Sequence, residues 1–301
     1  MAFGTEVAVT IRSRNRPRAE AALRELGEAF QRMHTDWHPW ERGALSELNE
    51  ALAAGDWSQP GAELLAMIRD AQRFEEDSLG YFNAAIGNLV RLWGFHTSTY
   101  PILTPPPDKA QILRRLAQSP SALNIEIRGS RVRSLNRGVK LDFSGLAKGH
   151  AALQACERLV AQGLEDALID LGGDVMICGA STRPWSIAIS DGQGGVHAGI
   201  ELMGPIAVFS SGTARRWGEW HSERYAHLLN PKTGLALDHL VQATVIDRDP
   251  SLADAAATAL AVAGPENWRG VARSMGVYEV LLLDAAGPIA VSPGFALRTE
   301  D

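Results

Sequence analysis

Ser251-Leu-Ala-Asp254-Ala-Ala-Ala-Thr258-Ala-Leu260 is the stretch on which the reading of this chain turns. A serine followed three residues later by an acid marks a helix N-terminus, and the Ala-rich run ends at Gly264 and Pro265. Asp254 and Thr258 fall one turn apart on a single face, so both side-chain oxygens can address one object. Their neighbours are small or apolar, which predicts a buried carboxylate, and a buried carboxylate needs a partner. A hard cation such as Mg²⁺ is one candidate, because it takes oxygen ligands and shares them with phosphates. The alternative is local: an Asp favoured by the helix dipole and a Thr bonding back to a carbonyl.

Outward from this helix the periods alternate without a regular βαβ repeat. Thr5 to Ile11 reads as a strand, Pro17 to Met33, Leu45 to Leu52 and Gly61 to Phe74 as helices, and the proline-rich Thr97 to Asp108 as a loop. Lys109 to Ala117 is helical, and strands follow at 124–128, 131–135 and 139–142. Gly145 to Val160 is a helix with Lys148 in its first turn, after which strands dominate. They fall at 167–171, 175–178, 185–190, 196–202, 206–209, 225–230, 243–247, 277–284 and 288–291. The pattern predicts an α+β fold of mixed or antiparallel sheets with helices packed on them. No repeat, linker or sharp boundary divides residues 1–301, so one domain is expected.

Hydrophobic residues make up 46% and charged residues 21%, ordinary for a soluble globular chain. A net charge of -6 argues against a general nucleic-acid binder, which needs a basic face. A small anionic ligand held by backbone amides and a metal stays open. Cys156 and Cys178 have neither zinc-site spacing nor disulfide-scaffold density and read as buried thiols. No window approaches a transmembrane span, and the N-terminus carries no export pattern.

Four further segments hold chemistry-bearing residues. Asp142-Phe-Ser-Gly145-Leu-Ala-Lys148-Gly149-His150 leaves a strand and opens a helix, where free amides and an ammonium form a potential anion site. Asp170-Leu-Gly172-Gly173-Asp174 is either a tight turn or a backbone closely approached by a ligand. Ser210-Ser211-Gly212-Thr213 precedes a strand carrying His227-Leu228, which runs into the turn Asn230-Pro-Lys-Thr-Gly234. His227 is either a packed residue or a base. Trp37-His38-Pro-Trp40 offers aromatic surface for a flat heterocycle or for the core.

Taken in order, these segments resemble the FAD:protein FMN transferases, the ApbE-like flavin transferases. The likeness runs through Phe3-Gly4-Thr5, Ser46-Glu-Leu-Asn49, Gly80-Tyr-Phe-Asn83, Leu92-Trp-Gly-Phe95, Asp142 to Gly149, Leu171 to Asp174, Ser210 to Gly212, His227 to Gly234 and Ala253 to Leu260. It implies a thymidylate-synthase-like tandem architecture and FAD as substrate. It places the FAD contacts at Phe3, His38, Trp40, Asn83, Lys148, Gly172, Gly173, Ser211, Gly212, His227 and Leu228. It places Mg²⁺ on Gly145, Asp254 and Thr258. Lys148, His227 and Asp254 become the catalytic set. They would serve attack by a Ser or Thr hydroxyl of an acceptor flavoprotein on the riboflavin-side phosphorus, with AMP leaving. The chain departs from the family's usual Asp at Asn83 and Asn230, and from its commoner residues at Phe143, Ser144, His150 and Trp37 to Trp40. Location outside the cytoplasm follows from the resemblance, and a cytoplasmic one if the chain is complete.

The same residues admit two rivals: an FAD pyrophosphatase using water in place of the acceptor, and a non-catalytic flavin-binding protein. No nucleic-acid partner is expected.

Overall fold

The computed structural model describes residues 2–214, 216–238 and 242–296. β1 (Ala8–Ile11) leads into α1 (Arg16–Asp36), α2 (Ala44–Ala54), α3 (Ala62–Asp77), α4 (Gly87–Leu92) and α5 (Lys109–Leu116). The hairpin β2 (Ile125–Arg128) and β3 (Arg131–Ser134) precedes α6 (Ala147–Ala161). β4 (Ala167–Asp170), β5 (Val175–Ile177), β6 (Trp185–Ser190), β7 (Val196–Leu202) and β8 (Ile206–Gly212) follow. Then come β9 (Trp217–Trp220), β10 (Glu223–Ala226), β11 (Gln242–Asp247), α7 (Pro250–Met275), β12 (Glu279–Asp284), β13 (Gly287–Val291) and α8 (Pro293–Ala296).

Seven strands form one antiparallel sheet in the order β1-β4-β5-β8-β11-β12-β13. Both faces are covered, so its central strands read as continuous apolar runs. Successive residues go to opposite sides: Ala207 and Phe209 join the core beneath α6 and α7, whereas Ile206 and Val208 join the core shared with the β6–β7 hairpin. Helices α1 and α3 pack on α6 and α7 as an outer layer. A smaller apolar cluster of Ile86, Leu89, Trp93, Phe95, Ile112 and Leu229 fastens α4 and α5 to the Asn230–Gly234 turn. The α+β expectation holds.

Several local expectations need correction. Cys156 and Cys178 are not free thiols: they form a disulfide between α6 and the end of β5. The partners are 22 residues apart and meet only because α6 folds back over that strand. Residues 139–142 form no strand; Lys140 makes a single bridge to Ile86. Strand pairing near Tyr225 covers only Glu223–Ala226, opposite β9, which the sequence pattern did not reveal. The α7 cap is Asp249, whose carboxylate accepts the N–H groups of Ser251 (2.9 Å) and Leu252 (3.2 Å), with Pro250 in the first helical position. The expected close at Gly264 is borne out: its non-helical φ of 69° and ψ of −177° break the helix there, and Pro265 opens a second helical segment that runs on to Met275.

Candidate active site

Two helix starts meet at this site. α6 begins after a turn in which Leu146 and Ala147 both donate to the Phe143 carbonyl, and Lys148 lies in its first turn. α7 begins beside it. The helices can approach because residue 149 has no side chain: a Cβ there would stand 2.7 Å from Ser251 Cα. Across this contact the Gly149 N–H donates to Asp254 Oδ2 at 2.9 Å. A Cβ on Gly145 would lie 3.0 Å from Thr258 Oγ1, and Thr258 Oγ1 is itself 2.9 Å from Ser211 Oγ. The structure thus brings Gly145, Lys148, Ser211, Asp254 and Thr258 together, with Gly212 ending β8 alongside.

Asp174 completes the cluster from the strand side. It is buried, pairs with the Lys148 ammonium, and accepts the Ser210 N–H at 2.7 Å through its other oxygen. Gly172 and Gly173 hold φ of +74° and +95° in the turn before it. At Gly172 the close approach is made by the chain's own Thr5 side chain. Asp174 ends the Asp170-Leu-Gly172-Gly173-Asp174 segment, and nothing in that spacing identifies it as the partner of Lys148.

Burial pushes the Asp254 carboxyl above its ordinary range, opposed by the Lys148 charge and the Gly149 N–H. His227 is half-buried, and its Nδ1 lies 3.1 Å from the Arg216 carbonyl, a contact that requires an Nδ1–H donor. That tautomer leaves Nε2 as the ring's acceptor. Burial, the Arg216 guanidinium and Lys148 lower the His227 pKa to about 4, so the ring is neutral at neutral pH.

An aromatic row reaches the same region. Trp40 stacks on His96 at 5.1 Å and 20°, and His38 meets Trp40 edge-on at 4.3 Å. His96 Nε2 is 3.1 Å from Asp142 Oδ2, on the turn just before Gly145. Burial opposes ionisation of Asp142, but His96 and Ser144 outweigh it and hold the carboxyl below its ordinary range. Phe3 donates its N–H to His34 Nδ1 at 3.2 Å and accepts from Arg216 Nη2 at 3.2 Å, tying the N-terminus to the loop beside His227. His96, Arg216 and His34 carried no sequence signal of this role. Asn83 uses its amide within the chain, accepting from the Ala85 N–H (2.7 Å) and donating to the Pro120 carbonyl (2.9 Å). Leu228 is buried and accepts from the Leu237 N–H.

Among the described residues no group of three or more His, Cys, Asp or Glu side chains could hold a metal. The oxygen set available is different: one buried carboxylate, one hydroxyl, and the backbone of the Gly145 turn. Such hard donors suit Mg²⁺ rather than zinc, and a carboxyl driven toward neutrality by burial is one that a cation would restore. Two concavities lie nearby. One, of about 500 Å³, is lined by Thr213, Trp217, Tyr225, Leu237 and Asp284. The other, of about 240 Å³, is lined by residues including Ile86, Leu89, Arg115 and Lys232. Neither is lined by Lys148, Asp254 or Thr258.

The model of the ApbE family matches residues 3–282. A Rhodobacter capsulatus protein named FAD:protein FMN transferase is 35% identical, over 99% of this chain and 57% of its own length. The chain therefore spans little more than half of that relative. A Vibrio cholerae protein of the same name is 29% identical over 76% of this chain and 69% of its own. The crystal structure of the ApbE protein from Thermotoga maritima superposes with a TM-score of 0.88 at 30% identity, covering 100% of this chain and 98% of that one. With the family's model matched across nearly its whole length, this chain belongs to the ApbE family.

Proposed function

We propose that the chain transfers the FMN moiety of FAD to a Ser or Thr hydroxyl of an acceptor flavoprotein, with Mg²⁺ bound at Gly145, Asp254 and Thr258 and AMP as leaving group. The observation that carries this reading is the convergence of two helix starts, which puts Asp254 2.9 Å from the Gly149 amide, one residue beyond Lys148. A bound Mg²⁺ would supply charge neutralisation on the diphosphate. Lys148, already paired with Asp174, supplies a second cation oriented by a buried carboxylate. His227 is neutral with Nε2 as acceptor, which lets it accept a hydrogen bond from an incoming hydroxyl and assist the transfer of its proton, although its lowered pKa makes it a weak base. Trp40, stacked on His96, is placed to contact a ring of the flavin nucleotide with its remaining surface. Phe3, His38, Asn83, Gly172, Gly173, Ser211, Gly212 and Leu228 are the proposed further contacts.

The test is incubation with FAD, Mg²⁺ and a library of peptides each bearing one Ser or Thr, read by mass. A peptide mass gain of one FMN together with AMP supports transfer. Free FMN and AMP without peptide labelling would assign the pyrophosphatase activity instead. Tight FAD binding with neither product would leave a flavin-binding protein.

A further inference from the structure

Charge is distributed very unevenly along this chain. Residues 109–140 hold eight lysines and arginines and a single acid, Glu126, in a chain of net charge -6; everything outside that segment therefore carries -13. The segment forms α5, the β2–β3 hairpin and the loops joining them. Asn136 ties these pieces together: its Nδ2 donates to the Gln118 carbonyl (2.6 Å) and to Asn124 Oδ1 (3.1 Å), and its Oδ1 accepts the Gly138 N–H (2.8 Å).

Glu126 pairs with Arg128 and Arg133. Arg114, Arg115, Arg131 and Arg137 make no ion pair among the described residues. Apolar side chains stand out among these charges: Leu113 is 52% exposed, Leu123 47% and Leu135 70%.

The cavity of about 240 Å³ opens within this face, with Ile86, Leu89 and Leu116 apolar and Arg115 and Lys232 cationic. Lys232 belongs to the Asn230–Gly234 turn that follows His227. Pro120 also lines the cavity, and its carbonyl is held by Asn83. The Asn230–Gly234 turn, which carries Lys232, therefore joins this cavity to the segment that bears His227.

We propose that this basic face is the docking surface for an acidic segment of the acceptor polypeptide, with one apolar side chain of that segment seated in the cavity. The inference rests on reading the chain as a transferase that acts on a protein. An acidic segment is repelled by most of the molecule and attracted here, so charge alone fixes the side from which it arrives. A discrete cavity with a cationic rim takes a single side chain, which a polypeptide can supply and a lipid surface does not. Docking here delivers a nearby hydroxyl past the Asn230–Gly234 turn toward His227.

The test is fluorescence anisotropy with a short labelled Asp/Glu-rich peptide containing one Leu and one Thr, run beside its Lys-substituted counterpart and vesicles of phosphatidylglycerol in phosphatidylcholine. The acidic peptide should bind and the Lys peptide should not. Arg115→Glu combined with Arg131→Glu should weaken binding by about tenfold or more at low salt, and replacing the peptide's Leu by Ser should weaken it by about tenfold. Melting temperatures of the variant confirm that it is folded. Absence of binding, equal binding of the Lys peptide, an unaffected charge-reversed variant, or binding confined to the vesicles would each overturn the proposal. AMP release from FAD by the unchanged chain is read in parallel. Peptide binding without any FAD turnover sinks the transferase reading, whereas turnover without peptide binding sinks the docking surface alone.

Discussion

Replacing Gly149 with alanine probes the contact that assembles the site. The added Cβ would lie 2.7 Å from Ser251 Cα and 2.8 Å from the Pro250 carbonyl carbon, where ordinary contact begins at 3.4 Å. The obstructing atoms are backbone in the first turn of α7, fixed by the Asp249 cap and by Pro250, so no side chain can swing aside. The nearest obstruction is the Pro250 carbonyl oxygen, closer still than Ser251 Cα, so the helix starts must separate by roughly 0.7 Å or more, which stretches the Gly149 N–H bond to Asp254 from 2.9 Å to roughly 3.6 Å or beyond, outside hydrogen-bonding range. Overpacking of this kind costs about 1–3 kcal/mol, and weakening a buried bond to a carboxylate adds about 1–2 kcal/mol more. For a chain of this length the melting temperature should fall by roughly 3–8 °C. The larger effect is functional. The same movement draws Asp254 and Thr258 away from Gly145 and Lys148, and a displacement near 1 Å costs about 100-fold in turnover. Calorimetry and AMP release from FAD with Mg²⁺ measure the two effects separately. Gly27→Ala and Gly270→Ala are the controls: nothing lies within 4 Å of either added Cβ. Both should gain about 1 kcal/mol from helix propensity and keep their activity. A Gly149→Ala chain that melts and turns over like the parent refutes the argument.

Three other outcomes are expected. Asp254→Asn removes a buried charge while keeping its shape, so without metal the chain should melt at or above the parent temperature. The upward shift on adding Mg²⁺ should vanish along with turnover; a surviving shift means the metal binds elsewhere. Because the His227 pKa is lowered from 6.5 to about 4, the unfolded chain takes up a proton between those values that the folded chain refuses. Its contribution is complete above pH 6.5 and fades as pH falls toward 4, by up to about 3 kcal/mol. His227→Gln should therefore flatten the melting temperature between pH 7 and 4.5, and an unchanged slope would assign the effect to other groups. Cys156→Ala with Cys178→Ala opens a loop closed across 22 residues and should cost about 3 kcal/mol, read as a lower denaturant midpoint.

What the sequence disclosed was decided by how local each signal is. The Asp254–Thr258 spacing is set by helical geometry, and the α7 start was legible to within two residues, although its cap turned out to be Asp249 rather than Ser251. Most of β8 and β11 was legible in the strands read at 206–209 and 243–247. Pairings across long separations were not. Lys148 with Asp174, His96 with Asp142 and Cys156 with Cys178 each depend on how α6, the Asp142 turn and the strands come together. The glycines divide in the same way. Positive φ at Gly172 follows from turn chemistry, but Gly149 matters through a helix that begins a hundred residues later.

The displaced titrations of Asp254 and His227 point in opposite directions, and the pair is more telling than either alone. Asp254 is driven toward a neutral acid and His227 toward a neutral base, so the site as it stands resists both an added negative and an added positive charge. A cation arriving alone meets Lys148 and Arg216; an anion arriving alone meets the Asp174 and Asp142 carboxylates. A divalent cation carried with a diphosphate places positive charge at Asp254 and negative charge at Lys148 in a single event, and each partner removes the obstacle to the other. On the proposed reading, FAD and Mg²⁺ must then bind with positive coupling, each tightening the other by the same factor. Independent binding of the two, measured by titrating FAD at fixed Mg²⁺ and Mg²⁺ at fixed FAD, is incompatible with a site charged in this way.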